Sequence, residues 1–410
     1  MTNYTFIFGT LSQIFISSTL VILSILFILM ISQNNKKRLI RYLIIFLWHS
    51  IFCICYIYFS LTSVADALSY FEDALYKNVL NDRTIPVIFI SNLNSFLIKF
   101  FNFSYLSVFL FYNFLGFLAL YFIDNSINKI IIIKNNILTL IKNIIIFLPS
   151  ISFWSASIGK DTIALFSLSM IFWLYIHKKN FFFIIISFLI FYIIRPQHAT
   201  VLFVAFILTL FFINNKNYKL INFNYFKILL FFLLSFFSIL SFNTIVSMSG
   251  IGIQISNVYD LLSLDFLNEF STKLQTRQSL LDYSFGSGYI DLSIIFFPSE
   301  MFTYLFRPTI FEATNLMKFI SSIENLFILI FFTYGLYCFS NHKIIYDRDK
   351  IFIIFFIVAL IPLSALTPNF GISARQKWII LIPIFYFFIS AITLHLNHKL
   401  EIIKKDLKSR

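Results

Sequence analysis

The chain has 410 residues, of which 59% are hydrophobic and 12% charged, with a formal net charge of +13. Soluble domains carry about 25% charged residues; half that charge alongside 58 phenylalanines excludes a water-soluble globule. The basic excess lies in short segments between apolar stretches, so it excludes a nucleic-acid-binding domain.

Apolar stretches that suit a hydrocarbon core about 30 Å thick recur along the chain. They lie roughly at 5–31, 42–62, 104–123, 137–153, 162–177, 181–195, 199–213, 228–247, 323–340, 351–367 and 378–395. The pattern predicts an all-α, polytopic transmembrane bundle of about eleven spans (10–12). All 410 residues then belong to a single integral membrane domain. Asn92, Asn94 and Lys99 interrupt 86–101, and Pro298 and Glu300 interrupt 292–306. Those two stretches are expected to be interfacial or re-entrant helices. No basic residue precedes the first stretch, which is also too long for a signal-peptide core, so no cleavable signal is expected. Cys53, Cys55 and Cys338 all lie in apolar stretches, and no disulfide framework or metal site is expected.

With the N-terminus outside, most of the 31 basic residues fall in the short inner loops and the C-terminal tail, and most of the 18 acids fall outside. This is the positive-inside bias of a bacterial inner-membrane protein with a periplasmic N-terminus and a cytoplasmic C-terminus. The basic faces also suit anionic lipid. The long outer segments are then 63–103, a first periplasmic loop with amphipathic helices, and 248–322, a large, partly helical periplasmic loop. A short one lies at 367–377.

In the first outer loop Asp66, Tyr70 and Asp73 fall at i, i+4 and i+7, one face of a helix. Asp66 could be a general base on a sugar hydroxyl; the alternative is a solvated amphipathic helix paired with Lys77 and Arg83. In Pro149-Ser-Ile-Ser-Phe-Trp154-Ser-Ala-Ser-Ile-Gly159-Lys160-Asp161, Lys160 sits near the start of an apolar helix. There the helix dipole and ammonium converge on a phosphate, or Lys160 and Asp161 simply pair at the interface. Arg195-Pro196-Gln197-His198 joins two spans. Pro196 breaks the helix, Arg195 must snorkel or bind an anion, and His198 is either a proton-transfer group or a structural hydrogen-bonder.

The large loop holds Arg277, the turn Asp282-Tyr-Ser-Phe-Gly286-Ser-Gly288, and Arg307-Pro308, which repeats the Arg195-Pro196 punctuation. Glu324, opening the next span, reads as a partner of the helix dipole. In Thr367-Pro-Asn-Phe-Gly371-Ile-Ser-Ala-Arg375-Gln-Lys377-Trp378, two cations precede a span. They serve an anionic ligand or anchor the interface. Together Lys160, Arg195, Arg277, Arg307, Arg375 and Lys377 would suit a pyrophosphate, which arginine grips through paired hydrogen bonds.

In its span number, its large late outer loop and the segments 149–161, 195–198, 304–325 and 369–375, the chain resembles the bacterial O-antigen and capsular polysaccharide polymerases, Wzy-like integral membrane glycosyltransferases. The spacing from Arg277 to Gly288 fits the Arg-x10-Gly pattern of some of their outer loops. The resemblance implies polymerisation of repeat units at the periplasmic face, with undecaprenyl-pyrophosphate-linked glycan as donor and acceptor, no cofactor, and a chain-length regulator as a candidate partner. Cations would stabilise the departing pyrophosphate, and Asp66, or else His198, would take the acceptor proton. Two alternatives stand beside it. One is a single-sugar transferase using a polyprenyl-phosphate donor, with Glu72-Asp73 as its acids. The other is a flippase for the lipid-linked glycan.

Overall fold

A computed structural model describes residues 3–63, 65–76, 84–133, 135–212, 297–342, 345–367 and 370–408. It is helical throughout, with no strand among the described residues. In chain order the helices are α1 (Asn3–Phe8), α2 (Leu11–Ser32), α3 (Lys36–Thr62), α4 (Asp66–Tyr76), α5 (Ile85–Phe101), α6 (Tyr105–Ile130), α7 (Asn136–Ile146), α8 (Pro149–Ser155), α9 (Lys160–Ile176), α10 (Phe181–Ile194), α11 (Pro196–Phe212), α12 (Phe297–Phe306), α13 (Leu316–His342), α14 (Lys350–Leu366) and α15 (Phe370–Lys408).

Among the described residues, six segments are long and apolar enough to cross a membrane: Leu11–Ser32, Lys36–Thr62, Tyr105–Ile130, Asn136–Ser155, Leu316–Asn341 and Phe370–His398. Ile40, Ile44, Leu47, Ile51, Ile54 and Tyr58 of α3 are exposed along one stripe, as are Leu11, Phe15, Ile22 and Met30 of α2. Water would penalise such faces and lipid does not, so the chain has the make-up of a membrane protein. The expected stretches 162–177, 181–195, 199–213 and 351–367 are helices of 14 to 17 residues. At about 1.5 Å per residue their described lengths fall short of the hydrocarbon core. The expected span 228–247 lies outside the described residues. Residues 85–101 form an unbroken helix despite their polar interruptions, with Asn94 buried.

Helix ends follow local chemistry. Asn35 caps α3, its side-chain oxygen accepting from the N–H groups of Lys37 and Arg38 at 3.1 and 3.2 Å. Asn180 caps α10 through Phe182 N–H at 3.0 Å, and Asn102 ends α5 in a left-handed conformation. Gly9, also left-handed, separates α1 from α2, so the expected stretch 5–31 is two helices.

The chain divides into two compact units, Met1–Lys129 with Thr139–Arg195, and Ile130–Leu138 with Pro196–Arg410. In the first, α9 and α10 pack as a hairpin, α4 packs on α5, and α8 packs on α3. In the second, α15 is buried along nearly its whole apolar length against α13 and α14. Phe331, Phe332, Phe385 and Phe388 interlock between α13 and α15.

Candidate functional site: two basic corners

In the first unit, α8 ends at Ser155 and a short turn leads to Lys160, the first residue of α9. The turn is held by Thr162 Oγ1, which donates to Ser157 O at 2.6 Å, and by Ser157 Oγ, which donates to Trp154 O at 2.9 Å. Lys160 Nζ lies 5.9 Å from the centre of the Tyr70 ring, a cation–π contact. Tyr70 is buried on α4, and its carbonyl accepts from Asn94 Nδ2 at 3.5 Å. Asn94 Oδ1 in turn accepts from Tyr112 at 3.0 Å. Asp66 is exposed at the start of α4, one turn before Tyr70.

Arg195 ends α10, its N–H donating to Phe191 O at 2.8 Å. Its guanidinium donates to the Asp161 carboxylate in the first turn of α9. The α9–α10 hairpin therefore brings Lys160, Asp161 and Arg195 to one helix end. Of the residues read from three separate segments, Lys160 and Arg195 meet at the start of α9, Lys160 against Tyr70 and Arg195 against Asp161, while Asp66 lies one turn before Tyr70 on α4. Arg195 is ion-paired here, which lowers the net positive charge of the corner.

The second unit contains the other Arg-Pro corner. Arg307 follows α12, donates to Glu312 and stacks over Phe370 at 5.4 Å from the ring centre. Glu312 Oε2 accepts from Thr309 N–H at 2.7 Å and from Thr309 Oγ1 at 3.0 Å. Asn325 of α13 donates to Pro308 O at 2.9 Å and accepts a hydrogen bond from Lys377 of α15. Lys377 is 2% exposed, so it is no surface cation, and Glu324 places a negative charge beside it. Arg375 is half-buried two residues earlier on α15. His198 is buried at 2% exposure near the start of α11. Arg277 lies outside the described residues.

Sequence reasoning missed Asn325, the hub of the second corner. Its signal was an amide next to Glu324 on an apolar helix. Burial pushes the Glu300 carboxyl of α12 above its ordinary value. No group of three or more His, Cys, Asp or Glu side chains able to hold a metal occurs among the described residues.

Comparison with family models, with curated proteins and with solved structures finds no match to this chain. What the fold defines is an all-helical membrane protein with a basic corner in each unit.

Proposed function

We propose that this chain is a polysaccharide polymerase of the bacterial inner membrane, a glycosyltransferase joining lipid-linked repeat units of O-antigen or capsule at the periplasmic face. In this reading about eleven spans place the N-terminus and the segment 248–322 in the periplasm and the C-terminus in the cytoplasm. The substrate is an undecaprenyl-pyrophosphate-linked glycan.

One observation carries the reading. The first unit sets an exposed carboxylate, Asp66, one helical turn from the tyrosine on which Lys160 rests, and holds Arg195 at the same end of α9. Glycan transfer from a pyrophosphate donor needs that pair of functions. Cations stabilise the leaving pyrophosphate while a carboxylate accepts the proton of the attacking hydroxyl. The glycosidic bond to the donor phosphate breaks as the new bond to the acceptor oxygen forms, and undecaprenyl pyrophosphate departs. Nothing in the geometry favours the single-sugar transferase or the flippase over this reading.

Deletion of the gene in its host is the test. Lipopolysaccharide or capsule chains should collapse to a single repeat unit on a gel and be restored by the wild-type chain. Asp66→Asn and Lys160→Met should fail to restore them while remaining in the membrane. An unchanged ladder after deletion refutes the polymerase.

A further inference from the structure

Pro308 is tied to the interior of α13 and not to its end. Its carbonyl accepts from Asn325 Nδ2 at 2.9 Å. Asn325 is nine residues beyond Leu316, about 13 Å along the helix axis. Helices α13 and α15 run parallel: Asn325 meets Lys377, Phe331 meets Phe385 and Gly335 meets Phe388, in rising order on both. Seven residues nearer the start of each helix than the Asn325–Lys377 contact are Lys318 and Phe370. The Arg307 guanidinium lies over the Phe370 ring at 5.4 Å. The chain at Arg307–Pro308 is therefore held at the depth of Asn325, while the arginine charge reaches back toward the level of Lys318. That is the posture of a snorkelling side chain.

The same turn carries an apolar tip. Ile310 and Phe311, in the 3-10 turn Ile310–Glu312 that packs on α13, are 41% and 100% exposed. On α13 itself Leu316, Phe319, Ile323, Leu326, Ile330 and Tyr337 are exposed. Steps of three and four residues put them on one face, along a helix long and apolar enough to cross a membrane. That stripe has no polar member from Leu316 to Ile330, so acyl chains covering Ile323 meet no polar boundary before the first turn. Pro308 then lies below the membrane surface, and Ile310–Phe311 follow from a point anchored at acyl-chain depth. Backbone at that depth needs its polar groups satisfied by protein. Pro308 O takes Asn325, the Thr309 N–H donates to Glu312 at 2.7 Å, and the Glu312 and Ala313 N–H groups donate to Thr309 O and Ile310 O at 3.0 and 3.4 Å. Arg307 and Glu312 neutralise each other.

We propose that Ile310–Phe311 is a lipid-inserted tip: the turn 307–315 dips into the leaflet in which α13 begins and sets these two side chains among the acyl chains, with Arg307, Glu312 and Lys318 at headgroup level. The partner is the bilayer itself. An exposed apolar patch continuous with a membrane-facing stripe is what such a surface requires. The inference needs α13 to cross the membrane and takes nothing from the polymerase reading, so either can fail without the other.

The experiment places a nitroxide label on the full-length chain reconstituted in vesicles of phosphatidylcholine and phosphatidylglycerol. Cys55 is exposed and Cys53 and Cys338 are buried, so Cys55→Ala leaves a chain in which an introduced cysteine is the accessible one. Phe311→Cys is compared with Ile323→Cys, on the exposed stripe of α13, and with Asp347→Cys, whose native side chain is 61% exposed beside α14. Collision of the label with oxygen, which concentrates in acyl chains, is measured against collision with a water-soluble nickel complex. The label at 311 should give the oxygen-to-nickel ratio of the label at 323, well above that at 347.

A ratio at 311 equal to that at 347 puts the tip in water and overturns the proposal. Low collision with both reagents means that protein covers the tip and overturns it as well; mutual broadening of the labels would then identify a second copy as the cover. Phe311→Trp in the otherwise unaltered chain gives an independent reading should the labelled variant fail to fold. Its added emission over wild type should be quenched by lipids brominated in their acyl chains and spared by aqueous acrylamide, and the opposite pattern overturns the insertion.

Discussion

His49 Nε2 lies 3.0 Å from the hydroxyl of Ser155, 106 residues away in the chain. The other ring nitrogen lies 2.5 Å from Asn113 Oδ1, and Asn113 Nδ2 donates to Ser50 at 3.0 Å. A serine, histidine and asparagine in line have the form of an activated nucleophile, but no reacting group fits here. His49 and Ser155 are 0% and 2% exposed. A Cβ added at Gly116 would lie 2.4 Å from His49 Cε1 and from the Ser155 carbonyl, so the ring is capped by backbone. The line joins α3, α6 and α8 as interhelical hydrogen bonds do in membranes, at about 1 kcal/mol each. His49→Leu should lower the thermal unfolding midpoint in detergent. Ser155→Ala should leave the proposed chain-extending activity per folded molecule unchanged; its loss with an intact fold would mark a catalytic relay instead.

A second close approach sets the packing of the other unit. A Cβ at Gly335 of α13 would lie 2.4 Å from Phe388 Cγ on α15. Small residues let membrane helices approach closely, and overpacking such a contact costs about 1–3 kcal/mol. Gly335→Ala should therefore destabilise the chain in a thermal melt. Phe388→Leu should be less harmful in that background than in the wild type, because it vacates the space the methyl needs.

The helices were legible in the sequence because their apolar density is high, but their starts were not. Hydropathy places the last two long helices at 323 and 378, whereas they begin at Leu316 and Phe370. The first turns of each carry polar residues, Lys318, Ser321 and Ser322 in one and Arg375, Gln376 and Lys377 in the other, and a hydropathy window assigns those to loops. Lys377 thus reads as an exposed cation although it lies two turns inside a helix. Asn315, whose Oδ1 accepts from Lys318 N–H at 2.8 Å, is the cap signal for the earlier start. The ion pairs were illegible for a different reason. Asp161 and Arg195 are 34 residues apart, and only the α9–α10 hairpin brings them together.

The Arg307–Glu312 pair makes a pH prediction with a definite sign. Burial alone would raise the Glu312 carboxyl, but hydrogen bonds from Arg307 and from Thr309 hold it below its ordinary 4.5. A group depressed on folding contributes stability that is present above its unfolded value and lost as pH falls through the folded one. Wild type should therefore exceed Glu312→Gln in unfolding temperature at neutral pH. The gap should close as pH drops below 4.5. A gap that is constant down to pH 3 would show that the carboxylate charge is not what holds the corner.

Asp124 offers the sharpest test of a buried charge. It is 0% exposed and accepts from Arg41 Nε at 3.0 Å on both oxygens, and from Asn128 Nδ2 at 3.1 Å. Arg41 also donates to Asn143 at 2.8 Å, and Lys142 Nζ lies 4.0 Å from the same carboxylate. Removing one partner of a buried pair costs roughly 3–5 kcal/mol, because the remaining charge is stranded. The two deletions are not equivalent. The Arg41 side chain is 24% exposed and can turn to water when Asp124 is lost, whereas the fully buried Asp124 keeps only Asn128 and the more distant Lys142 beside it when Arg41 is lost. Arg41→Ala should therefore destabilise more than Asp124→Ala. The double variant should be more stable than Arg41→Ala alone, since it removes the stranded carboxylate. Denaturation of the four proteins in one detergent measures the cycle, and equal single losses that simply add would show that the pair is solvated rather than buried.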